Sequence, residues 1–559
     1  MKKSFLIIVA LLVSLASFAR DLDVIRLAGD ICHVRVSADC GSKYILLPVE
    51  ESAKEAEVEV IVNNNRVRTL WIRLALSHID YYVPFALDEF QGSEVLLQLH
   101  VPSVPITLSN RGWVGSDLCV NNIRLSNKLD FSTEKSERPA FHHTPEYGWM
   151  NDPNGMFYKD GEWHLYYQWG PYGLVWNNMT WGHSVSKDLI HWEHRAPAIQ
   201  ADALGAVFSG SCVVDHENTA GFGKDAVIAM YTMDGAVQSQ NIAYSLDGGN
   251  TFTKYERNPV LVAGIPDFRD PNMFWNEEIG KWSLVLACGQ QMQFYSSPDL
   301  KEWKEEGKFG KMYGAHGGVW ECPDLFCLPT PDGKSKKWVL LCNINPGGLM
   351  GGSATQYFIG NFDGHQFVPD DPDRYTGGRA LWMDYGKDHY ATVSFSDAPA
   401  GRRTVIAWMS NWEYADKVPA IDYRSSNSIA RDLFLYTGSD GELYMGSRPA
   451  PEYDNAGLDK RFSVKGSCTW TLSNSEKESV VIKYDQKAMT LSVDRTQSGV
   501  VNFKHTFPAV TVAPLHKKLT SLRIFVDNNS VEVFGNDGEV VLTNIIFPSA
   551  PLSTIKVNQ

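Results

Sequence analysis

The chain has 559 residues, 12% of them aromatic, and a formal net charge of −14. An acidic balance offers no basic surface for phosphates and excludes a nucleic-acid partner. The length exceeds one ordinary core and calls for about three to four domains. Lys2 and Lys3 precede an apolar run from Phe5 to Leu15, and small residues follow at Ala16, Ser17 and Ala19. That is the layout of a secretory signal peptide, residues 1–19, cut after Ala19. The run is too short to cross a membrane and no second run of spanning length follows, so no membrane insertion is expected. The first cysteine is Cys32, well past the cut, which argues against a lipoprotein anchor. The mature chain is expected in the periplasm or outside the cell. Without the two leader lysines it carries 49 basic against 65 acidic side chains, a net of −16 that suits a neutral substrate.

Residues 20–126 alternate like β-structure. In AEVEVIVNNNRVRTLWIRL, Val58, Val60 and Val62 share one face, and Asn63-Asn64-Asn65 supplies a hairpin turn. The polar stretch NKLDFSTEKSERP, residues 127–139, is a linker. Residues 140–450 then repeat a loose unit. One strand carries an acid near a proline: MNDPNGMFY, FRDPNMFW, WECPDLFCL. A second strand follows a turn: GEWHLYYQW, GKWSLVLAC, KKWVLLCNI, RRTVIAWMS. A hairpin ends each unit, as in AYSLDGGNTFTKY and YSSPDLKEWKEE. Four-strand units recurring roughly every 50 to 65 residues predict a five-bladed β-propeller. After the break RPAPEYDNAGLD, residues 451–559 read as hairpins joined by Asp-Asn-Asn and Asn-Asp-Gly turns, which predicts a C-terminal β-sandwich. The fold class is all-β throughout.

The nine cysteines are scattered with no C-x-x-C, so neither a disulfide scaffold nor a zinc site is indicated, and no cofactor is expected. Cys32 and Cys40 are close enough in sequence to bridge a short hairpin. His183, His191 and His194 lie among strand residues and read as structural rather than metal ligands.

On local grounds Asp-Pro-Asn-Gly, Asp152 to Gly155, is only a turn. The repeat says more. Asp152, Asp270 and Glu321 open three units in the same way, 118 and then 51 residues apart, which places them on blades one, three and four. Inner strands of a propeller converge on its axis, so acids at one phase of different blades gather in one pocket. A turn-only reading does not predict that recurrence.

WMNDPNG, FRDP (Phe268 to Pro271) and WEC (Trp320 to Cys322), in this order and at these spacings, resemble the signature of the glycoside hydrolase family 32 β-fructosidases, the invertases, inulinases and levanases. The stretches YYQWGPYGLVW, WGHSVSKDLIHW, FSGS, QYFIGNFDG and SVEVFGNDG agree, so the resemblance covers residues 140–559. It implies Asp152 as nucleophile, Glu321 as general acid/base and Asp270 as transition-state stabiliser in a retaining glycosidase. Crowding of acids is expected to help keep Glu321 protonated. Arg269, beside Asp270, is placed to hold a carboxylate. Asn151 and Gln168 are expected to bond the furanose hydroxyls, and Trp176, Phe208 and Ser209 to line the pocket; each also fits a plain strand or core role. Cys322 either tunes Glu321 or is an inert buried thiol, and Trp412 lines the rim or packs in the core. The expected partner is a fructan (levan or inulin) or sucrose, attacked from the chain end. Endo-acting hydrolysis and fructosyl transfer use the same residues, and a fructan-binding protein is the non-enzyme alternative. Residues 20–126 resemble the N-terminal β-domain of some gut Bacteroidetes β-fructosidases; tethered just before the nucleophile strand, such a domain is expected to close one side of the propeller mouth.

Overall fold

The computed structural model describes residues 22–27, 30–101, 114–129 and 138–558. The signal peptide and most of the linker lie outside the described residues. The chain divides into two compact units, one ending at Leu129 and the other starting at Asp130.

In the first unit, alternation of apolar and polar residues builds two antiparallel sheets. One has five strands, in the order Asp23–Arg26, Ile31–Ser37, Glu94–His100, Ala56–Val62, Asn65–Ile72. The other has three, Tyr81–Ala86, Tyr44–Val49 and Arg124–Ser126. Val34, Val58, Val60, Leu97 and Leu99 are fully buried on one face, as period-2 patterning requires. Val62 departs from its expected face: a register shift after Val60 leaves it half-buried. Asn63 and Asn64 make the turn with positive φ, 49° and 67°, a conformation asparagine tolerates better than most residues. A short helix, Val114–Asn122, interrupts the β pattern.

The second unit holds five radial sheets and a sandwich. The inner strands of the five blades are Gly148–Lys159, Ala206–Asp215, Phe268–Asn276, Val319–Pro329 and Tyr390–Ser394. Each blade continues outward through antiparallel strands contiguous in sequence, apart from two-residue strands that join blades one and four from elsewhere. The repeated motifs fall where the repeat predicts, the acid-bearing strand innermost and GEWHLYYQW, GKWSLVLAC, KKWVLLCNI and RRTVIAWMS next to it. Residues from Asp459 onward form two sheets of four and five strands around Trp470, Leu472, Ile482, Val493, Leu522 and Val533. All nine cysteines are free, so the Cys32–Cys40 bridge does not form; Cys32 is instead buried in the core face of its strand. His183 bonds His164 and His194 bonds Ser184, inside the first blade.

Ring and sandwich are joined by buried charge. Arg431 of the fifth blade, fully buried, bonds Asp384 at 2.8 Å and reaches Glu532 of the sandwich. Glu532 also takes His142 Nε2 at 2.8 Å, while His142 Nδ1 meets Asp527 at 2.8 Å. Asp527 further accepts the N–H groups of Ala140 and Phe141. The segment entering blade one and the third strand of blade five are therefore held by one sandwich hairpin. Burial opposes charging His142, but its bonds to Asp527 and Glu532 override that and push the imidazole up to about 9. A histidine titrating near 6.5 when unfolded and near 9 when folded contributes its full stabilisation below pH 6.5 and loses it as pH rises through 9. The amount is on the order of 3 kcal/mol. Melting temperature measured from pH 6 to 10 should fall across this window in the wild type. In His142→Gln, already less stable at pH 7, that fall should be absent.

Candidate active site

One backbone irregularity positions the site. In each blade the inner strand bulges at the same level, two residues facing one on the next strand. The bulged pairs are Asn151 and Asp152 opposite Gln168, Phe208 and Ser209 opposite Thr232, and Asp270 and Pro271 opposite Leu286. Blades four and five repeat it with Cys322 and Pro323 opposite Cys342, and Ala391 and Thr392 opposite Ala407. A bulge re-aims the side chains it carries. Asp270, Cys322 and Ala391 reach this geometry with φ of 64°, 42° and 55°, the left-handed region that non-glycine residues avoid. Such strain, about 1–3 kcal/mol per residue, persists only where surrounding packing enforces it.

The re-aimed groups meet. Asp152 Oδ2 accepts the Ser209 hydroxyl at 2.8 Å and the Cys322 thiol at 3.5 Å, while its buried Oδ1 has no hydrogen-bond partner among the described residues. Asp270 Oδ2 accepts the Cys322 backbone N–H at 2.9 Å and lies 3.6 Å from the same thiol. The Asp270 N–H donates to Thr232 Oγ1 at 3.0 Å. Glu321 Oε1 takes Arg269 Nη2 at 3.0 Å and Nε at 3.3 Å, and Oε2 accepts the Tyr390 hydroxyl at 2.5 Å. Arg269 is braced in turn by Asp267 at 2.6 Å.

Electrostatics follow from crowding three acids away from water. Burial first, and the Glu321 charge second, raise Asp152, while Ser209, Asn151 and Cys322 pull it back. Asp270 is lifted to about 7 by burial; Arg269 pulls against this, while the Glu321 and Asp152 charges raise it further. Burial and the same carboxylates hold the Cys322 thiol protonated, so its S–H is a donor between Asp152 and Asp270. Among the described residues no group of three His, Cys, Asp or Glu side chains is arranged to hold a metal ion.

The sequence-selected residues divide into two sets. Asp152, Ser209, Asp270, Arg269 and Glu321 are joined by the contacts above, with Cys322 as the link. Trp176, 43% exposed, packs edge-on to Phe208 at 5.7 Å and forms a wall beside Ser209. Asn151 and Gln168 have part of their bonding capacity taken: Asn151 Oδ1 accepts Trp149 Nε1 at 2.8 Å, and Gln168 Nε2 donates to the Val207 carbonyl at 3.1 Å. Trp412 packs on Trp149 and Trp408, in the core role. Tyr390 and Thr232 were not selected. Both occupy bulge level, but their strands lack the acid-proline signature; counting blade phase through DHYATVSF would have found Tyr390.

Residues 142–447 match the profile described as glycosyl hydrolases family 32 N-terminal domain, and residues 455–559 the family's C-terminal one. The chain belongs to glycosyl hydrolase family 32. Residues 29–141 match a domain of unknown function, DUF4980. The chain is 44% identical over 459 residues to a levanase of Bacillus subtilis (strain 168), covering 74% of this chain and 67% of that one. It is 39% identical over 490 residues to an extracellular exo-inulinase of Aspergillus awamori, covering 75% and 91%. The crystal structure of exo-inulinase from Aspergillus awamori superposes with a TM-score of 0.70 at 35% identity, over 77% of this chain and 96% of that one. A fructofuranosidase from Schwanniomyces occidentalis, complexed with fructosylnystose, gives 0.68 at 34%, over 77% and 99%.

The crowding has a cost that stability measurements read. Asp270 titrates near 7 in this family 32 site against an ordinary 3.8, so its ionisation weakens the fold progressively as pH rises between those values. Asp270→Asn keeps an acceptor for the Cys322 N–H and removes the charge. The variant should melt above the wild type at pH 8, with the gap shrinking toward pH 4.

Proposed function

We propose that the chain is a retaining β-fructofuranosidase that removes terminal fructose from levan, inulin or sucrose, with Asp152 as nucleophile and Glu321 as general acid/base. The observation that carries this reading is the asymmetry of the carboxylates. Asp152 keeps one buried oxygen without a partner, which suits attack on an anomeric carbon. Glu321 is held at both oxygens by Arg269 and Tyr390, which suits aimed proton delivery. Relatives named levanase, exo-inulinase and, at 40% identity, invertase support the substrate class, and the exo-inulinases support attack at the chain end. Their description as extracellular supports export of this chain to the periplasm or beyond.

In the first step Asp152 Oδ1 bonds to C2 of the terminal fructosyl unit as the C2–O bond to the leaving sugar breaks. Glu321 gives its proton to the departing oxygen. Positive charge on the ring is stabilised by the ionised form of Asp270, held by the Cys322 N–H. Water then enters on the vacated side, Glu321 takes its proton, and the ester to Asp152 is cleaved. Two inversions at C2 return the β anomer, and carboxyl groups about 5–5.5 Å apart are what this route needs.

Asp152→Asn should abolish fructose release, and Glu321→Gln should lower kcat by about 10²–10⁴-fold on substrates with poor leaving groups. NMR of fresh product should show β-fructofuranose first; the α anomer appearing first would overturn the double displacement. Early digestion of levan and inulin should yield fructose alone. A ladder of oligosaccharides would mean endo attack, and longer products would mean fructosyl transfer.

A further inference from the structure

A cavity of about 420 Å³ lies on the propeller axis away from the carboxylates. All five inner strands contribute, and every contribution sits further along its strand than the catalytic level: Asn272 after Asp270, Asp324 after Glu321, Ser394 after Tyr390. At about 3.3 Å per residue this is the opposite end of the axis. The volume is within the roughly 300–1,000 Å³ of small-molecule sites.

Its chemistry is mixed. Trp275 is 44% exposed and packs edge-on to Trp282 at 5.3 Å, while Trp282 is itself pinned by its indole N–H to Thr219 at 2.8 Å. The platform is therefore braced yet open. Around it stand acceptors, Glu217, Glu277 and Asp397, the last facing His216 Nε2 at 3.5 Å, and a donor, Arg403, which gives one N–H to Ser394 Oγ at 3.2 Å; Asp215 and Asp324 are spent on backbone N–H groups. The Asn272 amide, which both donates and accepts, has no hydrogen-bond partner among the described residues. An anion entering here meets Asp397 and Glu277, and a cation meets Arg403. A neutral polyhydroxylated ring avoids both penalties, bonds donors and acceptors alike, and lays its C–H face on an indole.

We propose that this far mouth of the propeller is a second binding site, for one or two units of neutral saccharide, with Trp275 as platform and Asn272 as hydrogen-bonding partner. It stands independently of the catalytic assignment, since no residue is shared.

The test is calorimetric titration of the full-length Asp152→Asn enzyme with sucrose and with inulobiose. Besides the event at the catalytic pocket, a second sugar-binding event should be present that weakens at least tenfold on adding Trp275→Ala or Asn272→Leu. Both substitutions in the otherwise wild-type enzyme should leave kcat on sucrose unchanged, which certifies folding, and Asn272→Leu decides if Trp275→Ala fails that check. A second event that is absent, or that survives both substitutions intact, overturns the proposal. Binding of spermidine or citrate at the site, with no saccharide effect, overturns the ligand class. Loss of hydrolysis in the parent variant bears only on the catalytic reading.

Discussion

Everything chemical in this molecule depends on five bulges lying at one height. A regular inner strand would send alternate side chains between blades, where Trp181, Tyr166 and Val207 pack. The extra residue breaks that alternation at this level in every blade and turns an acid, a hydroxyl or a thiol toward its counterparts. Because the ring repeats the irregularity, the separate deviations converge. Left-handed backbone at Asp270 and Cys322 is supported by hydrogen bonds, among them the one in which the carboxylate of the first accepts the backbone N–H of the second. Strain and hydrogen bonding support each other there.

Convergence creates the second constraint, negative charge gathered out of water. The structure answers with neutral donors more than with cations. Ser209, the Cys322 thiol and N–H, and Tyr390 all donate, and Arg269 is the positive group shared between Glu321 and Asp267. A full set of counter-ions would hold all three acids ionised. Partial compensation keeps at least one of them, Asp270, within reach of neutral pH, and leaves Asp152 with an oxygen uncommitted.

Much of this was legible in the residues. The three carboxylates stood out because their strand motif recurs at blade spacing, and blade order followed from counting that period. The C-terminal hairpins announced themselves through turn chemistry. What stayed hidden was non-local. Tyr390 carries no acid or proline to mark it, and it matters only because Glu321, far earlier in the chain, arrives beside it. The alternation pattern puts Val62 on the face of Val58 and Val60, because a register shift leaves no mark in such a pattern. The bond from His142 to Asp527 and Glu532 joins positions nearly four hundred residues apart, and no local signal specifies such a pairing. Asn151 and Gln168 were chosen by resemblance for sugar contact; that each already serves a neighbour became visible only with the backbone in place.

The clasp that links His142, Arg431 and Glu532 bears on how the protein comes into being. Many ring-shaped folds close by mixing first and last strands within one sheet, but here each blade's four main strands come from one stretch of chain. The seam between blades one and five is closed directly, where Tyr423–Arg424 and Ser396 pair with the first inner strand, and again from outside, by a hairpin from the last tenth of the polypeptide. During synthesis, therefore, the earlier blades can form in turn while the ring stays parted. The closing hairpin then adds the buried ion pairs that fasten the first blade to the fifth. A chain interrupted in its final stretch lacks that clasp, and its ring is left to the strand contacts at the seam alone.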